Sequence, residues 1–391
     1  MAQLLNRPCS PGNVSGQNST YTMKRRLLLG ARIAHLSCLA FVLLGFSQMV
    51  TAQPVVTSSN YSVAVFANAP TGLTNPDSIT IDAQGAIWVE YANGTQPDGT
   101  GGSSTLVQFG PGGRVLNTVS VVGKSDGMKY DPFDGMIWCL RDEDANPGLT
   151  LVNPVTLQQT SYTYAAPTLH GGGYDDVVFF SNTAFISASN PNLQPPTPQT
   201  PNGQNIFPSI VKAVIEGGLV YVTPVLYGNA TLTSINTGQQ VVAQQSDPDS
   251  LKVDQFGNVV LDSQADGNLI FLTNLGLPNQ VGRVLSLSNG TSTQVTVDDT
   301  VFPTASAGVI YVVDTAADVV YVVSSTNFPQ NSAFSASDNT GVLAQVNLQT
   351  GQLTSIVTGM QSPHGALFVP TFPIGAAGKV SDYRMRMIAK R

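Results

Sequence analysis

The chain has 391 residues, of which 10% are charged and 42% hydrophobic, and it contains 37 glycines and 25 prolines. This composition favours an all-β globular protein and lacks the dense charge patterning typical of surface helices. The net charge of -7, with no basic cluster after residue 26 except near the C-terminus, argues against a nucleic-acid partner.

The N-terminal segment is predicted to be a leader rather than part of the fold. A basic cluster at 24–26 precedes the apolar run Leu36–Val50, and small residues follow just before Gln53. This order is typical of a secretory signal, and the run is too short for a stable membrane span. We therefore expect a secreted or periplasmic protein that is cleaved before Gln53, with either Met1 or Met23 as its start.

A pattern of turn, strand, hairpin and strand opens the mature chain and then recurs. Its first copy, Asn75–Tyr91, contains an alternating strand, a tight turn at Gly85 and a second strand. Close copies begin at Ser125 and Pro248, and weaker copies continue a period of about 50 residues. Such a period is typical of a repeat architecture.

A second hairpin follows in each repeat, which predicts a β-propeller built from four-stranded antiparallel blades. Five repeats are complete and a sixth retains only its first strand, so six blades are predicted, with seven as the alternative. Two long segments, 190–208 and 327–340, are interpreted as excursions that build a binding rim. The second hairpins are predicted at Thr105–Val122, Gly148–Tyr164, Ile210–Leu226, Gly282–Val297 and Gly341–Thr358.

Closure of the ring requires a strand from the other end of the chain. Tyr61–Ala67 alternates like a strand before the first repeat, so it is predicted to be the outer strand of the last blade. Lys379–Ile388 is a candidate for a further strand of that blade. The predicted segments are the leader at 1–52, the propeller at 53–370 and a C-terminal tail at 371–391.

One residue at the start of each inner strand is predicted to face the central channel, because the first strand of each blade lines it. Carboxylates about 6 Å apart repel by about 3 kcal/mol, so a divalent cation would relieve such a ring. Oxygen ligands suit calcium or magnesium, whereas a histidine ligand would also permit zinc or manganese. No organic cofactor is predicted. The ring residues are Asp77, Asp126, Asp175, Asp249, Asp299 and His364.

Two interpretations of this ring are open. In the first, each aspartate caps the turn that enters its strand, and the role repeats because the blade repeats. In the second, the aspartates hold a cation and the two histidines of the mature chain, His364 and His170, carry protons. His170 precedes a Gly-Gly-Gly run that leads to ring member Asp175.

Three inner-strand motifs share an aspartate flanked by small residues. They are Pro-Asp-Ser-Ile with a following Gly-x-Ile-Trp at Pro76–Trp88, Ser-Asp-Gly-Met at Ser125–Met128, and Pro-Asp-Ser-Leu at Pro248–Leu251. These motifs resemble the gluconolactonase/regucalcin family and related NHL-type propellers. The resemblance implies lactonase-like chemistry with a metal ligand at Asp77, Asp126 or Asp249.

The chain departs from that family in lacking its early Glu-x-Pro-x-Trp motif and its Asn-Gly-Leu motif, which supply the other ligands. Ser-Pro-His-Gly at Ser362–Gly365 is similar to turns of streptogramin lyase propellers, and this similarity implies a channel histidine that acts as a base.

The sequence thus supports two functional hypotheses. One is a metal-assisted hydrolase or lyase of a small ester or lactone, with ring aspartates as ligands. The other is a non-catalytic extracellular module that binds a ligand or protein through its rim. In both cases we expect a monomer with no nucleic-acid partner and no stable membrane insertion.

Overall fold

The computed structural model of the protein describes residues 53–290 and 295–371. The predicted signal, the C-terminal tail and the candidate strand at 379–388 lie outside these residues. Within the described ranges, no helix has the length and apolar character needed to cross a membrane.

The described residues form 27 β-strands and two short 3-10 helices, at Pro111–Gly113 and Gln264–Asp266. The first fourteen strands are β1 (Val55–Val56), β2 (Ser62–Asn68), β3 (Pro76–Ile81), β4 (Ile87–Tyr91), β5 (Ser103–Phe109), β6 (Val115–Val122), β7 (Ser125–Tyr130), β8 (Ile137–Arg141), β9 (Gly148–Val152), β10 (Gln159–Tyr164), β11 (Val177–Phe180), β12 (Thr183–Ser187), β13 (Pro208–Glu216) and β14 (Leu219–Tyr227). The others are β15 (Thr231–Ser234), β16 (Gln240–Val242), β17 (Pro248–Val253), β18 (Val259–Ser263), β19 (Asn268–Thr273), β20 (Val281–Ser286), β21 (Thr300–Val301), β22 (Gly308–Asp314), β23 (Val319–Ser325), β24 (Ser332–Ser337), β25 (Val342–Asn347), β26 (Leu353–Thr358) and β27 (Pro363–Pro370).

The strands assemble into antiparallel groups that mostly follow chain order. Four groups are consecutive: β3 to β6, β7 to β10, β11 to β14, and β17 to β20. A parallel pairing of β10 with β14 joins two of these groups into one sheet. The β15–β16 hairpin adds to the outer edge of β20.

One strand of each group lies innermost, and these strands contact one another in a closed circle. The order is β3, β7, β11, β17, β21 and β27, and β27 returns to β3. This is the arrangement of a β-propeller, as the repeat predicted.

The last two groups are assembled from both ends of the chain. β21 joins β24, β25 and β26, with β1 as the outer strand, whereas β27 joins β22 and β23, with β2 outermost. The prediction that 61–67 closes the last blade is confirmed, because Ser62–Asn68 pairs antiparallel with Val319–Ser325.

Two predicted segments differ from the structure. The supposed excursion at 327–340 contains β24, a strand of the fifth group, while the preceding β22–β23 hairpin crosses to the sixth group. The hairpin predicted at 282–297 is formed earlier in the chain, by β19 and β20. The other excursion is as predicted up to residue 207, with one isolated bridge between Gln194 and Gln204 and no strand.

Several adjacent inner strands are latched by the side chain of the residue that directly follows the ring position. Ser78 Oγ donates a hydrogen bond to the Asp126 carbonyl and accepts one from Met128 N. Asp176 and Asp299 occupy the equivalent position and accept a backbone N–H from the following inner strand. The circle therefore depends on side chains as well as on strand packing.

Gly127 occupies this latch position in the second group and leaves no room for a side chain. A Cβ there would overlap the backbone of Asp175 and Asp176. We expect Gly127→Ala to reduce the free energy of unfolding by about 2–3 kcal/mol, since backbone cannot move aside easily. In the control Gly110→Ala, the Cβ would meet only the flexible Leu116 side chain, at 3.3 Å. Equal urea midpoints for the two variants would contradict this expectation.

Candidate functional site

The inner strands surround a cavity of about 250 Å³. Its wall carries ten carboxylates, three lysines and one histidine. Such an excess of negative charge attracts cations and repels anions. The predicted ring residues that line it are Asp77, Asp126, Asp175, Asp249, Asp299 and His364.

The structure places Asp298, not Asp299, at the ring position of the fifth group. Ser250 Oγ donates to the Asp298 carbonyl at 2.9 Å, just as Ser78 donates to that of Asp126. Asp299 still lines the cavity, but it occupies the latch position. Because two aspartates stand side by side here, the repeat pattern contains no local signal that distinguishes them.

Three carboxylates converge on one part of the wall. Asp126, Glu143 and Asp175 each offer one oxygen, and these oxygens all lie within 4.8 Å of one another. Oxygens on opposite sides of one Ca²⁺ are about 4.8 Å apart, since each bond is about 2.4 Å, so one ion can reach all three. This triad contains only oxygen donors and therefore fits calcium or magnesium better than zinc.

Lys124 is the counterion of this region. Its Nζ lies 2.6 Å from Glu143 Oε1, 3.1 Å from Asp126 Oδ2 and 3.8 Å from Asp77 Oδ2. All four side chains are less than 20% exposed. One ammonium cannot neutralise so many carboxylates, which leaves room for a further cation. Neither Lys124 nor Glu143 was among the residues predicted for the site.

The acids of the wall do not ionise independently. Burial, followed by repulsion from Asp126, raises the pKa values of Asp77, Glu143 and Asp175 well above their usual range. Burial also acts to raise the pKa of Asp126, but the Lys124 ammonium and hydrogen bonds from neighbouring acids outweigh it and lower that pKa. Protons and cations therefore compete for these carboxylates.

Glu143 is positioned by the glycine-rich loop that follows His170. Gly173 N donates to the Glu143 carbonyl at 2.6 Å, and a Cβ on Gly173 would overlap that carbonyl. His170 is 1% exposed, and its Nε2 donates to Gly173 O at 2.6 Å. Burial lowers its pKa. His170, predicted to carry protons, thus lies behind the wall and braces the loop that holds Glu143.

His364 lies on the cavity wall. Its Nδ1 donates to Thr315 Oγ1 and to Ser362 O, both at 2.9 Å, and its Nε2 lies 3.6 Å from Asp298 Oδ2. Burial lowers the pKa of His364, but Asp298 and then Asp77 outweigh it and raise the pKa to about 9. His364 is therefore charged at neutral pH and suited to donate a proton rather than to accept one.

The raised pKa of His364 makes its contribution to stability depend on pH. Because the folded value of about 9 exceeds the usual value near 6.5, the contribution is complete below about pH 6.5 and is lost as pH rises through about 9. We expect the difference in free energy of unfolding between wild type and His364→Gln to shrink by about 3 kcal/mol between roughly pH 6 and pH 10. Urea titrations measure it, and a pH-independent difference would contradict the raised pKa.

The fold and the site together define a β-propeller with an acidic, carboxylate-lined channel. No family model and no curated protein matches the chain. Among solved structures, a streptogramin B lyase aligns with a TM-score of 0.44 and 12% identity, over 78% of this chain and 91% of that one. The periplasmic gluconolactonase of Pseudomonas aeruginosa aligns with a TM-score of 0.42 and 15% identity, over 76% of this chain and 89% of that one. The structural neighbours thus include both kinds of propeller that the sequence motifs resemble.

Proposed function

We propose that this protein is a secreted hydrolase or lyase that opens a small, uncharged ester or lactone with the aid of a divalent cation. Support comes from the triad of Asp126, Glu143 and Asp175, whose oxygens one ion can reach. A calcium or magnesium ion bound there would supply Lewis acidity toward a carbonyl oxygen or a water. The proposal of export is based on the sequence signal that precedes Gln53, and that signal lies outside the described residues.

His364 is the proton donor in this proposal. Its Nδ1 proton is engaged by Thr315 and Ser362, so the transferable proton is the one on Nε2. Burial raises the pKa of the adjacent Asp298 to about 7, although His364 opposes the shift. The pair can therefore hold a proton near neutral pH and deliver it to a departing alkoxide oxygen.

The charge of the wall favours an uncharged substrate. Ten carboxylates face three lysines and one histidine, so an anionic substrate would be repelled and a carboxylate product would be expelled. Uncharged lactones are therefore expected to react, whereas phosphorylated or carboxylated lactones are expected to be excluded.

Metal binding is the first measurement, by calorimetry on chelator-treated protein. We expect one calcium or magnesium ion per chain, and we expect Glu143→Gln to weaken its affinity at least about tenfold, because a ligand charge is lost. Asp247→Asn is the matched control, since Asp247 lines the cavity outside the triad and its loss should matter far less. Equal losses in the two variants would mean that the ion responds to total charge and not to the triad.

Activity is then measured with a panel of γ- and δ-lactones in a pH-indicator assay, with and without the ion. Metal-dependent ring opening that is lost in Glu143→Gln would support the enzyme. Stoichiometric metal binding without turnover of any ester or lactone would instead favour a non-catalytic module that binds through the rim at 190–207.

A further inference from the structure

The cavity wall contains two further lysines, which occupy equivalent positions in their strands. Lys129 is the fifth residue of β7 and Lys252 is the fifth residue of β17, and both line the cavity. Lys129 Nζ lies 3.3 Å from Asp176 Oδ2. Lys252 Nζ lies 4.0 Å from the same oxygen and 2.7 Å from Asp299 Oδ1. The two amines therefore share one carboxylate.

The two lysines differ in how firmly each holds its proton. Burial acts to lower the pKa of Lys252, but Asp299 and Asp176 outweigh it and raise that pKa. Burial lowers the pKa of Lys129 to about 8. Asp176 and, to a smaller extent, Asp299 oppose this shift, whereas the Lys252 ammonium adds to it. Lys129 is thus the amine that deprotonates first, beside a lysine that stays charged.

We propose that Lys129 is a carbonyl-reactive amine that forms an imine with a small, uncharged aldehyde or ketone in this cavity. The amine nitrogen bonds to the carbonyl carbon, the two amine protons pass to the carbonyl oxygen, and that oxygen leaves as water. The product is a C=N bond to Lys129, and no oxidant or reductant takes part. Asp176 is close enough to Nζ to receive a proton and to return it. A desolvated lysine beside a second cation is an activated nucleophile.

The other lysines of the described residues set the comparison. Burial acts to lower the pKa of Lys124, but Asp126, Glu143 and Asp77 outweigh it and raise that pKa, so Lys124 holds its proton. Lys212 is exposed on β13 and is not among the residues that line the cavity. The imine chemistry uses none of the triad carboxylates, so it goes beyond the metal-assisted reaction proposed above.

Reductive trapping tests the proposal on the chelator-treated mature chain. The probe is glycolaldehyde with dimethylamine–borane as the reductant, at about pH 7. Both reagents are uncharged, so the negatively charged wall does not repel them. Labelled lysines are quantified by peptide mass spectrometry. We expect Lys129 to be labelled at least about tenfold faster than the exposed Lys212, because about a tenth of an amine with a pKa near 8 is neutral at pH 7, against less than about 0.1% of an ordinary lysine. The ratio of the Lys129 labelling rate to the Lys212 labelling rate should be smaller at about pH 9.

Labelling of Lys129 no faster than Lys212 at pH 7 would overturn the proposal. Lys252→Gln removes the neighbouring charge and should slow labelling of Lys129 while leaving Lys212 unchanged. Lys252→Arg keeps the charge and should preserve fast labelling, which separates the effect of charge from disturbed packing. A rate at Lys129 that is indifferent to the charge at position 252 in folded protein would also overturn it. Trapping and metal-dependent lactone opening are separate readouts, so either can fail without the other.

Discussion

Deletion of residues 53–68 is expected to lower the melting temperature by about 5–10 °C, because several kcal/mol of packing are lost and each kcal/mol is worth about 1.5 °C in a domain of this size. The deletion removes β1 and β2, which cover the edges of β26 and β23. It also removes Phe66, whose ring centroid lies 4.8 Å from that of Tyr311 and 6.0 Å from that of Phe109. Scanning calorimetry of chains that begin at residue 53 and at residue 69 measures the difference.

Peptide rescue distinguishes strand loss from general damage. A synthetic peptide of residues 53–70, added at about a hundredfold excess over its dissociation constant, should restore about 2.7 kcal/mol through binding to the folded state. A scrambled peptide of the same composition is the control and should restore nothing. If the shortened chain has the same melting temperature as the chain that retains residues 53–68, closure does not depend on these strands.

Lys124→Met is expected to reduce the free energy of unfolding of metal-free protein by about 3–5 kcal/mol, since it leaves buried carboxylates without their counterion. Asp77, Asp126 and Glu143 all have an oxygen within 3.8 Å of this ammonium. Methionine retains much of the aliphatic stem, so the loss reports mainly on charge. Saturating calcium should recover part of it, because a dication at the triad replaces the missing positive charge.

The matched control for this variant is Lys212→Met, at an exposed position of β13. Its effect should stay within about 0.5 kcal/mol. Urea titrations of wild type and both variants, with calcium and with chelator, provide the six values needed. Equal stability of the two variants in chelator would mean that protonation of the acids already removes the need for Lys124.

The inner strands and the closing strand were predictable because their signals are local. The motifs at Asp77, Asp126 and Asp249 and the alternation before the first repeat each lie within a few residues. The destination of the β22–β23 hairpin was not predictable in this way. Its strands have the right pattern for either of the last two groups, and the choice depends on distant contacts such as that between Tyr311 and Phe66.

The site was predicted in part, for a similar reason. Repetition identified the ring, but it cannot identify residues that occur in one repeat alone. Glu143 follows β8 in a loop whose course depends on the distant Gly173, so the sequence contains no local signal for it. Lys124 did carry a signal, since it is the one basic residue immediately before an inner-strand motif.

The last two strand groups combine strands from both ends of the chain, and this limits the order in which the molecule can fold. Among the described strands β1 and β2 are synthesised first, yet their partners β26 and β23 come near the end. A hydrogen bond from Thr57 Oγ1 to Ser355 O likewise joins residues 298 positions apart. Contacts so distant in sequence slow folding, because the loop between them must close before they form. A nascent chain can complete the first four groups while still on the ribosome, but not the circle. Premature termination anywhere before Pro363 would remove β27 and leave the cavity without one of its walls.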